Sequence, residues 1–299
     1  MPVAAISVLI PAWNCAPLLE RALRSVDAQS VAASAALETI VVDDGSTDDT
    51  AERVRRLAGE LRVPVRYVRQ ENAGPAAARN HALSLARGEL VAFLDADDEW
   101  LPHKLARQLP LFERAGVGLA YCDVAFVDAA GQPIEGYSRR VRLLEGDVLL
   151  ALFLDFFLLT SAVVMRRELA EREKGFRVDL PVGEDYDFFL RTLRHCEAGV
   201  VREPLLRRTV RPDSLSRQDF ALDARVDIDT LRRFAAENPA FAAAHPRAIA
   251  ARLAQYHGTF AWELLGRGRR RDAITHSIES LRSRTNLPAL KTLVRAFLP

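Results

Sequence analysis

Short apolar segments alternate with amphipathic ones through the first hundred residues. Four apolar segments typical of strands lie at 6–10, 39–42, 65–68 and 90–94. Between them, apolar residues recur every three or four positions, which predicts helices at 18–26 (capped by Asn14), 47–61 and 75–86. Strands that are apolar throughout and are joined by helices indicate a mostly parallel sheet with helices on both faces.

A polar cluster follows three of these four predicted strands. The clusters lie at 11–14, 43–46 and 95–98. The carboxyl ends of parallel strands meet at one edge of a sheet, which is where α/β proteins bind their ligands. We therefore expect a single crevice to collect all three clusters.

The pattern is less regular after residue 98. It predicts a helix at 102–115, a strand at 119–127, a turn at 129–133, a buried helix at 147–157, a buried strand at 159–165 and a helix that begins soon after 183. From about 219 onward only helical patterns are found. We therefore expect an α/β domain over residues 1–215 and a helical, basic C-terminal region over residues 216–299.

Composition narrows the class of protein. The 299 residues are 49% hydrophobic, enough for a sizeable core, and the net charge of +1 argues against nucleic-acid binding. The apolar stretch 148–165 contains Asp155, whose burial in a bilayer is costly, so we do not predict a membrane span there. The three cysteines lack Cys-x-x-Cys spacing and the N-terminus lacks the pattern of a signal peptide, so we expect a cytoplasmic protein.

The carboxylates of Asp95, Asp97 and Asp98 are the strongest candidates for chemistry. Carboxylate oxygens suit Mg²⁺ or Mn²⁺, and an ion held by one or two of them keeps positions open for the phosphates of a substrate. The alternative is an acidic turn that caps the helix after it.

Four further polar features allow both a structural and a functional interpretation. Asp44 can accept hydrogen bonds from a base or ribose, or its segment can cap the next helix. Trp13 can stack on a nucleobase or pack in the core. Arg79 can contact a phosphate or lie on the surface. Glu184 and Asp185 suit the dipole of the helix that follows them, but their place after a glycine also suits a general base.

Five segments, taken together and in this order, resemble the motifs of the family-2 glycosyltransferases. They lie at 7–14, 40–48, 72–80, 93–98 and 184–185. The resemblance covers residues 4–215 and implies a GT-A-type, Rossmann-like fold. It also implies transfer of a sugar from a nucleotide-diphosphate donor, with UDP as the expected nucleotide, to an acceptor hydroxyl.

The resemblance also implies which residues bind the donor. The nucleotide-sugar set is Pro11, Ala12, Trp13, Asp44, Arg79, Asp95 and Ala96. Pro11 and Trp13 would border the base, and Asp44 would form a hydrogen bond with it.

On the phosphate side, the resemblance places Arg79 near the donor phosphates or sugar and Asp95 against the ribose or sugar. Asp97 would bind Mn²⁺ or Mg²⁺, with Asp98 as the alternative ligand.

Asp185 matches the family's general base, with Glu184 as the alternative. It would take the proton of the acceptor hydroxyl as that oxygen attacks the anomeric carbon opposite the leaving diphosphate. One carboxylate suffices for this step, so we expect inversion at the anomeric carbon. The Gln-x-x-Arg-Trp motif of processive synthases does not occur in the sequence, which indicates transfer of one sugar per encounter.

The expected acceptor is a glycan or lipid-linked glycan in the assembly of cell-surface polysaccharide or lipopolysaccharide. One alternative is a nucleotidyltransferase, although that class would need a glycine-rich phosphate loop where residues 11–14 read Pro-Ala-Trp-Asn. The other is a non-catalytic nucleotide-sugar-binding or scaffold protein of the same fold. Such a protein would not require both Asp97 and Asp185, so the presence of both argues against this alternative.

The C-terminal region also has two interpretations. Its basic segment 267–271 precedes apolar residues at Leu290, Leu293, Val294, Phe297 and Leu298. Residues 267–299 could lie on an anionic membrane surface, which would place the protein at the inner face of the cytoplasmic membrane, or could pack on the protein with their basic side in water. His103, His195 and His257 lack metal-ligand spacing, so we assign them structural or surface positions.

Overall fold

The computed structural model describes residues 5–31, 36–128, 131–134, 142–210, 220–283 and 286–297. The chain forms two compact units. Unit 1 contains residues 1–152, 156–178 and 188–211, and unit 2 contains residues 153–155, 179–187 and 212–299. The boundary predicted near 215, the first two residues of the turn predicted at 129–133, and Leu298 lie outside the described residues.

The strands belong to unit 1, where they form one sheet. They are β1 (Ile6–Ala12), β2 (Leu37–Asp43), β3 (Val65–Arg69), β4 (Leu90–Phe93), β5 (Asp98–Trp100), β6 (Val117–Val127), β7 (Val164–Arg166) and β8 (Glu197–Thr209). The α-helices before β8 are α1 (Ala16–Asp27), α2 (Thr50–Glu60), α3 (Pro75–Leu85), α4 (Lys104–Gln108), α5 (Leu149–Leu154), α6 (Arg167–Arg172) and α7 (Glu184–Thr192). Short 3-10 helices occur at Leu109–Glu113 and Thr160–Ala162.

The sheet is mixed, with the order β3-β2-β1-β4-β7-β6-β8-β5. Its first four strands are parallel to one another, as predicted. Beyond β4 the direction varies: β7 is antiparallel to both β4 and β6, β8 is parallel to β6, and β5 is antiparallel to β8. The regular alternation of strand and helix thus accounts for one half of the sheet only.

The central strands are apolar because layers of side chains cover both faces of the sheet. Ile6, Val8, Leu9 and Ile10 of β1 are all fully buried. Burying such a side chain contributes roughly 1.5–3 kcal/mol to the stability of the fold. β1 is therefore a central part of the core of unit 1.

One carboxylate fixes the first two helices. Asp48 Oδ2 accepts a hydrogen bond from the N–H of Ala16 at 3.3 Å, and its Oδ1 accepts one from the N–H of Thr50 at 3.1 Å. The predicted cap of α1 by Asn14 is therefore wrong. Segment 43–46 does not cap α2 either, since α2 begins only at Thr50.

The less regular part of the chain differs most from prediction. The segment 147–157 forms only the short α5, and 159–165 divides into a 3-10 helix and β7. Neither β5 nor β8 was predicted. β8 carries charged residues within its 13-residue length, and these interrupt the apolar pattern that marks a buried strand.

Unit 2 is helical where it is described beyond residue 219. Its helices are α8 (Phe220–Glu237), α9 (Pro239–Ala244), α10 (Pro246–Gly266), α11 (Arg270–Ser283) and α12 (Leu287–Phe297). Its core is formed by Ala224, Ile228, Phe260, Leu264 and Ala273. Over the described residues, the helices are too short or too polar to cross a membrane.

Candidate functional site

The first two polar clusters meet at the carboxyl edge of the sheet. Ala12 lies opposite Asp43 in the register of β1 and β2. Beyond the strands, Ser46 Oγ accepts a hydrogen bond from the N–H of Asn14 at 2.9 Å, and Asn14 Oδ1 accepts one from the N–H of Thr47 at 2.8 Å. Asn14 has a φ of 46°, a conformation that asparagine tolerates better than most residues. These two clusters therefore lie side by side, as the prediction of a shared crevice requires.

These hydrogen bonds hold Trp13 on a fixed turn. Its side chain is 53% exposed, whereas Ala12 beside it is buried. The interpretation of Trp13 as a core residue is therefore wrong. An indole exposed at this edge is available to a planar ring, and its contact with a nucleobase stays a prediction.

Asp44 organises the loop that leads into α3. Its Oδ1 accepts hydrogen bonds from the N–H of Ala73 at 2.9 Å and from Gln70 Nε2 at 2.8 Å, and its Oδ2 accepts one from the N–H of Gly74 at 2.8 Å. The side chain is almost fully buried. Asp44 therefore has a structural role that the sequence did not indicate, and its predicted hydrogen bond to a base would be made in addition to these three.

Asp43 has a similar structural role in the turn after β2. Its Oδ1 accepts a hydrogen bond from the N–H of Ser46 at 2.8 Å, and its Oδ2 accepts one from the hydroxyl of Tyr67 at 2.5 Å. Burial and the bond to Asp43 raise the pKa of Tyr67 to about 12, so Tyr67 stays protonated as the donor.

Arg79 and Asp95 form an ion pair between α3 and the end of β4. Arg79 Nη2 lies 2.7 Å from Asp95 Oδ1, and Arg79 is only 6% exposed, so its interpretation as a surface residue is wrong. The guanidinium also lies over the ring of Phe176, with Cζ 5.4 Å from the centroid. Burial raises the pKa of Asp95, but the charge and hydrogen bond of Arg79 outweigh burial and hold that pKa below its ordinary value. Asp95 is therefore ionised at neutral pH.

The position of Arg79 is set by Asn80 and Phe176, to which the sequence analysis assigned no role. Asn80 Nδ2 donates to the carbonyl oxygen of Phe176 at 2.7 Å, and Asn80 Oδ1 accepts from the N–H of the same residue at 2.7 Å. These two hydrogen bonds hold Phe176 on one side of the guanidinium. Phe176 also packs against Phe188 of α7, with ring centroids 4.2 Å apart.

Asp98 is a buried acid in β5. It pairs in register with Arg208 of β8, and its Oδ2 lacks a hydrogen-bond partner among the described residues. Burial raises the pKa of Asp98 to about 7, an effect that Arg208 opposes and that the charges of Asp95 and Asp97 reinforce. The alternative of an acidic turn that caps a helix is wrong, since α4 begins only at Lys104 and lacks a side-chain cap.

Asp97 lies on the turn between β4 and β5 and is partly exposed. Its carbonyl oxygen accepts a hydrogen bond from Arg21 Nη2 at 3.0 Å. Burial raises the pKa of the Cys15 thiol to about 12, and the nearby carboxylates of Asp48, Asp97 and Asp43 add to this effect. The third polar cluster therefore lies near the first two, as predicted.

The donors at this turn fit a divalent cation that takes its remaining ligands from a substrate. Within the described ranges, three or more His, Cys, Asp or Glu side chains do not converge as a metal-binding group. Asp95 is already paired with Arg79, but Asp97 offers a partly exposed carboxylate, and Asp98 beside it has an oxygen without a hydrogen bond. One or two carboxylates completed by phosphates is an arrangement that Mg²⁺ commonly adopts. Asp97 thus stays the predicted ligand and Asp98 the alternative.

Glu184 and Asp185 form the first turn of α7 and belong to unit 2, whereas the other predicted site residues belong to unit 1. Both acids are partly exposed. Asp185 Oδ1 accepts a hydrogen bond from the N–H of Tyr186 at 2.8 Å, and Gly183 before them has a φ of 68° that favours glycine. The role of Asp185 as a base stays a prediction.

Asp227 of α8 is a further acid close to this turn that sequence analysis missed. A Cβ placed on Gly183 would lie 3.7 Å from Asp227 Oδ1. Burial raises the pKa of Asp227 to about 6, although a hydrogen bond from Tyr256 and the charge of Arg252 lower it. The signal that could have identified it is an acid on the apolar face that Ala224 and Ile228 define on α8.

Comparisons with known proteins agree with this architecture. The family model for glycosyl transferase family 2 matches residues 7–172. The chain is similar to the succinoglycan biosynthesis protein ExoU of Rhizobium meliloti (strain 1021), with 33% identity over 238 residues, 74% of this chain and 66% of that protein. Alignments with three curated relatives span 54%, 66% and 55% of those proteins, so the chain spans about half to two thirds of their length.

Solved structures share the fold at lower sequence identity. Residues 1–349 of S. aureus TarS in complex with UDP-GlcNAc superpose with a TM-score of 0.64 at 18% identity, covering 98% of this chain and 89% of that one. The mannosyltransferase PcManGT from Pyrobaculum calidifontis, in complex with GDP-Man and Mn2+, gives a TM-score of 0.65 at 23% identity, covering 98% and 79%. With its GT-A-type mixed sheet and the match over more than half of its length, the chain belongs to glycosyl transferase family 2.

Proposed function

We propose that this protein transfers one hexosyl or related sugar from a nucleotide-diphosphate donor to an acceptor hydroxyl, with inversion and with Mn²⁺ or Mg²⁺. The observation that carries the proposal is the ion pair between the buried Arg79 and the partly exposed Asp95, next to the partly exposed Asp97, at the carboxyl edge of four parallel strands. TarS with UDP-GlcNAc and PcManGT with GDP-Man and Mn2+ support this class of donor and metal.

On the donor side, each side chain would bind or orient one part of the substrate. Trp13 would stack on the base, and Asp95, held by Arg79 at 2.7 Å, would orient the ribose or sugar. Asp97, with Asp98 as the alternative, would hold the cation, which would neutralise charge on the leaving diphosphate. The buried guanidinium of Arg79 would add positive charge to the same region.

On the acceptor side, the base would be Asp185. The acceptor oxygen forms a bond to the anomeric carbon while the bond from that carbon to the diphosphate oxygen breaks and its electron pair leaves with the diphosphate. The hydroxyl proton passes to the Asp185 carboxylate. A single displacement of this kind inverts the anomeric centre.

The acceptor would be a growing glycan, free or on a lipid carrier, and UDP the donor nucleotide. The similarity to a succinoglycan biosynthesis protein supports a place in the assembly of cell-surface polysaccharide. A cytoplasmic location, where nucleotide sugars are supplied, is part of the same proposal.

The test is a transfer assay over a panel of UDP, GDP and dTDP sugars with Mn²⁺, Mg²⁺ or EDTA, read by nucleotide release and product mass. Asp185→Asn should lower kcat by about 10²–10⁴-fold and leave donor affinity unchanged, because the carboxylate acts on the acceptor only. Glu184→Gln is the matched control, with near-native activity expected. Products one sugar larger than the acceptor would support transfer of one sugar per encounter.

Two outcomes would overturn the proposal. Full activity of Asp185→Asn would exclude Asp185 as the base. Metal-dependent binding of a donor without turnover, on any acceptor tested, would indicate a binding or scaffold protein of the same fold.

A further inference from the structure

Helix α12 buries its small side chains and exposes its large apolar ones. Ala289, Thr292 and Ala296 are buried within unit 2. The exposed positions are Leu287, Leu290, Val294 and Phe297, which are 44–71% exposed. Their spacing of three and four residues places them on one face of the helix, which we call the α12 stripe. An amphipathic helix that packs only against its own protein has the opposite arrangement.

Basic and aromatic side chains border the α12 stripe. Lys291 and Arg295, four residues apart on α12, are both exposed. Arg295 Cζ lies 5.0 Å from the ring centroid of Trp262 on α10, and that indole is itself 49% exposed. Residues 287–297 contain neither Asp nor Glu. The surface thus combines apolar side chains, an exposed indole and positive charge that no acid of α12 offsets.

We infer that the α12 stripe binds an anionic lipid bilayer, with α12 lying in the plane of the interface. Its four apolar side chains would enter the boundary between headgroups and acyl chains. Lys291 and Arg295 would reach lipid phosphates along their flexible stems, and Trp262 would lie at the headgroup level. The proposed contact is narrower than the one that the sequence suggested, since it uses α12 and Trp262 and does not require the basic segment 267–271.

Charge and size both favour a bilayer over a second copy of the chain. Two copies that met at this surface would bring Lys291 and Arg295 of each close together without an acid on α12 to offset them. The helix has 11 residues and is therefore about 16 Å long. A stripe one side chain wide on such a helix is smaller than the about 800 Å² that each partner buries in a stable dimer.

The experiment is co-sedimentation of the full chain with vesicles of phosphatidylcholine alone or of equimolar phosphatidylcholine and phosphatidylglycerol. The native protein should bind the anionic vesicles and bind the neutral ones at least about tenfold more weakly. The variant Leu290→Ser/Val294→Ser/Phe297→Ser should lose at least about tenfold in partition to anionic vesicles, because it removes most of the apolar area. Val178→Ser is the matched control, since Val178 is a 62% exposed valine in unit 1.

A second variant keeps the test decisive if the triple variant does not fold. Lys291→Gln/Arg295→Gln should lower binding to anionic vesicles by roughly fivefold for each charge and leave binding to neutral vesicles unchanged. Equal binding of native protein to both vesicle types, or unchanged binding of both variants, would overturn the inference. Sedimentation velocity without vesicles gives a third outcome. If the native protein is a dimer and the triple variant is a monomer, the inference is overturned and the α12 stripe binds a second copy of the chain.

Discussion

Replacing Arg79 by methionine should destabilise unit 1 by about 3–5 kcal/mol. The substitution keeps most of the side-chain volume but removes the charge that lies 2.7 Å from Asp95 Oδ1. At that separation and an effective dielectric constant of about 20, the attraction is about 6 kcal/mol, part of which is offset by the desolvation of both groups. The variant therefore leaves an ionised carboxylate that is only 26% exposed without the hydrogen bond and charge of Arg79.

The measurement is urea unfolding at neutral pH, followed by tryptophan fluorescence and circular dichroism. Arg114→Met is the matched control: Arg114 lies 2.9 Å from Glu145, but both side chains are nearly half exposed, so its loss should cost less than about 1 kcal/mol. The double variant Arg79→Met/Asp95→Asn should recover most of the lost stability, because it no longer buries an unpaired charge.

The pH dependence has a definite sign. The folded-state pKa of Asp95 is lowered, mainly because the charge of Arg79 outweighs the effect of burial. The pair therefore contributes its stability above the ordinary pKa of aspartate and loses it as the pH falls through the lowered value. An Arg79→Met variant no less stable than Arg114→Met would refute the reasoning. So would a double variant whose loss equals the sum of the losses of Arg79→Met and of Asp95→Asn measured separately.

Three further predictions concern other parts of the chain. Trp13→Ala should change stability by less than about 0.5 kcal/mol, but should weaken donor binding in calorimetry by about 1–3 kcal/mol, whereas Trp262→Ala should not weaken it. Burial lowers the pKa of His257 from 6.5 to about 4. The free energy of unfolding should therefore fall by up to about 3 kcal/mol as the pH drops from above 6.5 towards 4, because the unfolded state binds this proton first. In urea unfolding, His257→Gln should remove that part of the pH dependence. Asn80→Ala should cost about 1–3 kcal/mol in the same assay, because it leaves the backbone of Phe176 without two hydrogen bonds at 2.7 Å.

Local spacing of apolar residues was sufficient to predict β1 to β4 and the three helices between them within a few residues. β1, β2 and β4 are buried almost throughout, so their apolar pattern reports the environment of the strand. β3, at the edge of the sheet, is partly exposed. The meeting of the polar clusters at one edge also follows from parallel pairing alone. The positions of Asp97 and Trp13 at that edge could therefore be predicted without a structure.

Contacts between distant segments could not be predicted in this way. Asp98 lies opposite Arg208 only because β8 pairs with β5. The charged residues of β8 interrupt its apolar pattern, so this strand could not be predicted. The burial of Arg79 depends on Phe176, which Asn80 fixes across 96 residues. A side chain's spacing along the chain does not contain this information, so the segment around Arg79 taken alone favoured a surface position that the structure shows to be wrong.

The contacts of Asp44 have a consequence for how a diphosphate can be bound. Its carboxylate accepts the N–H groups of Ala73 and Gly74, directly before α3, and the next residue is Pro75, which has no N–H to offer. The positive end of the α3 dipole thus already faces a negative charge of the protein itself. Many nucleotide-binding folds neutralise phosphate at such a helix end. Under the proposed function, the Arg79 side chain and a cation at Asp97 would supply the counter-charge for the leaving diphosphate, so substitutions at those two positions should be more damaging than in a fold whose backbone shares the task.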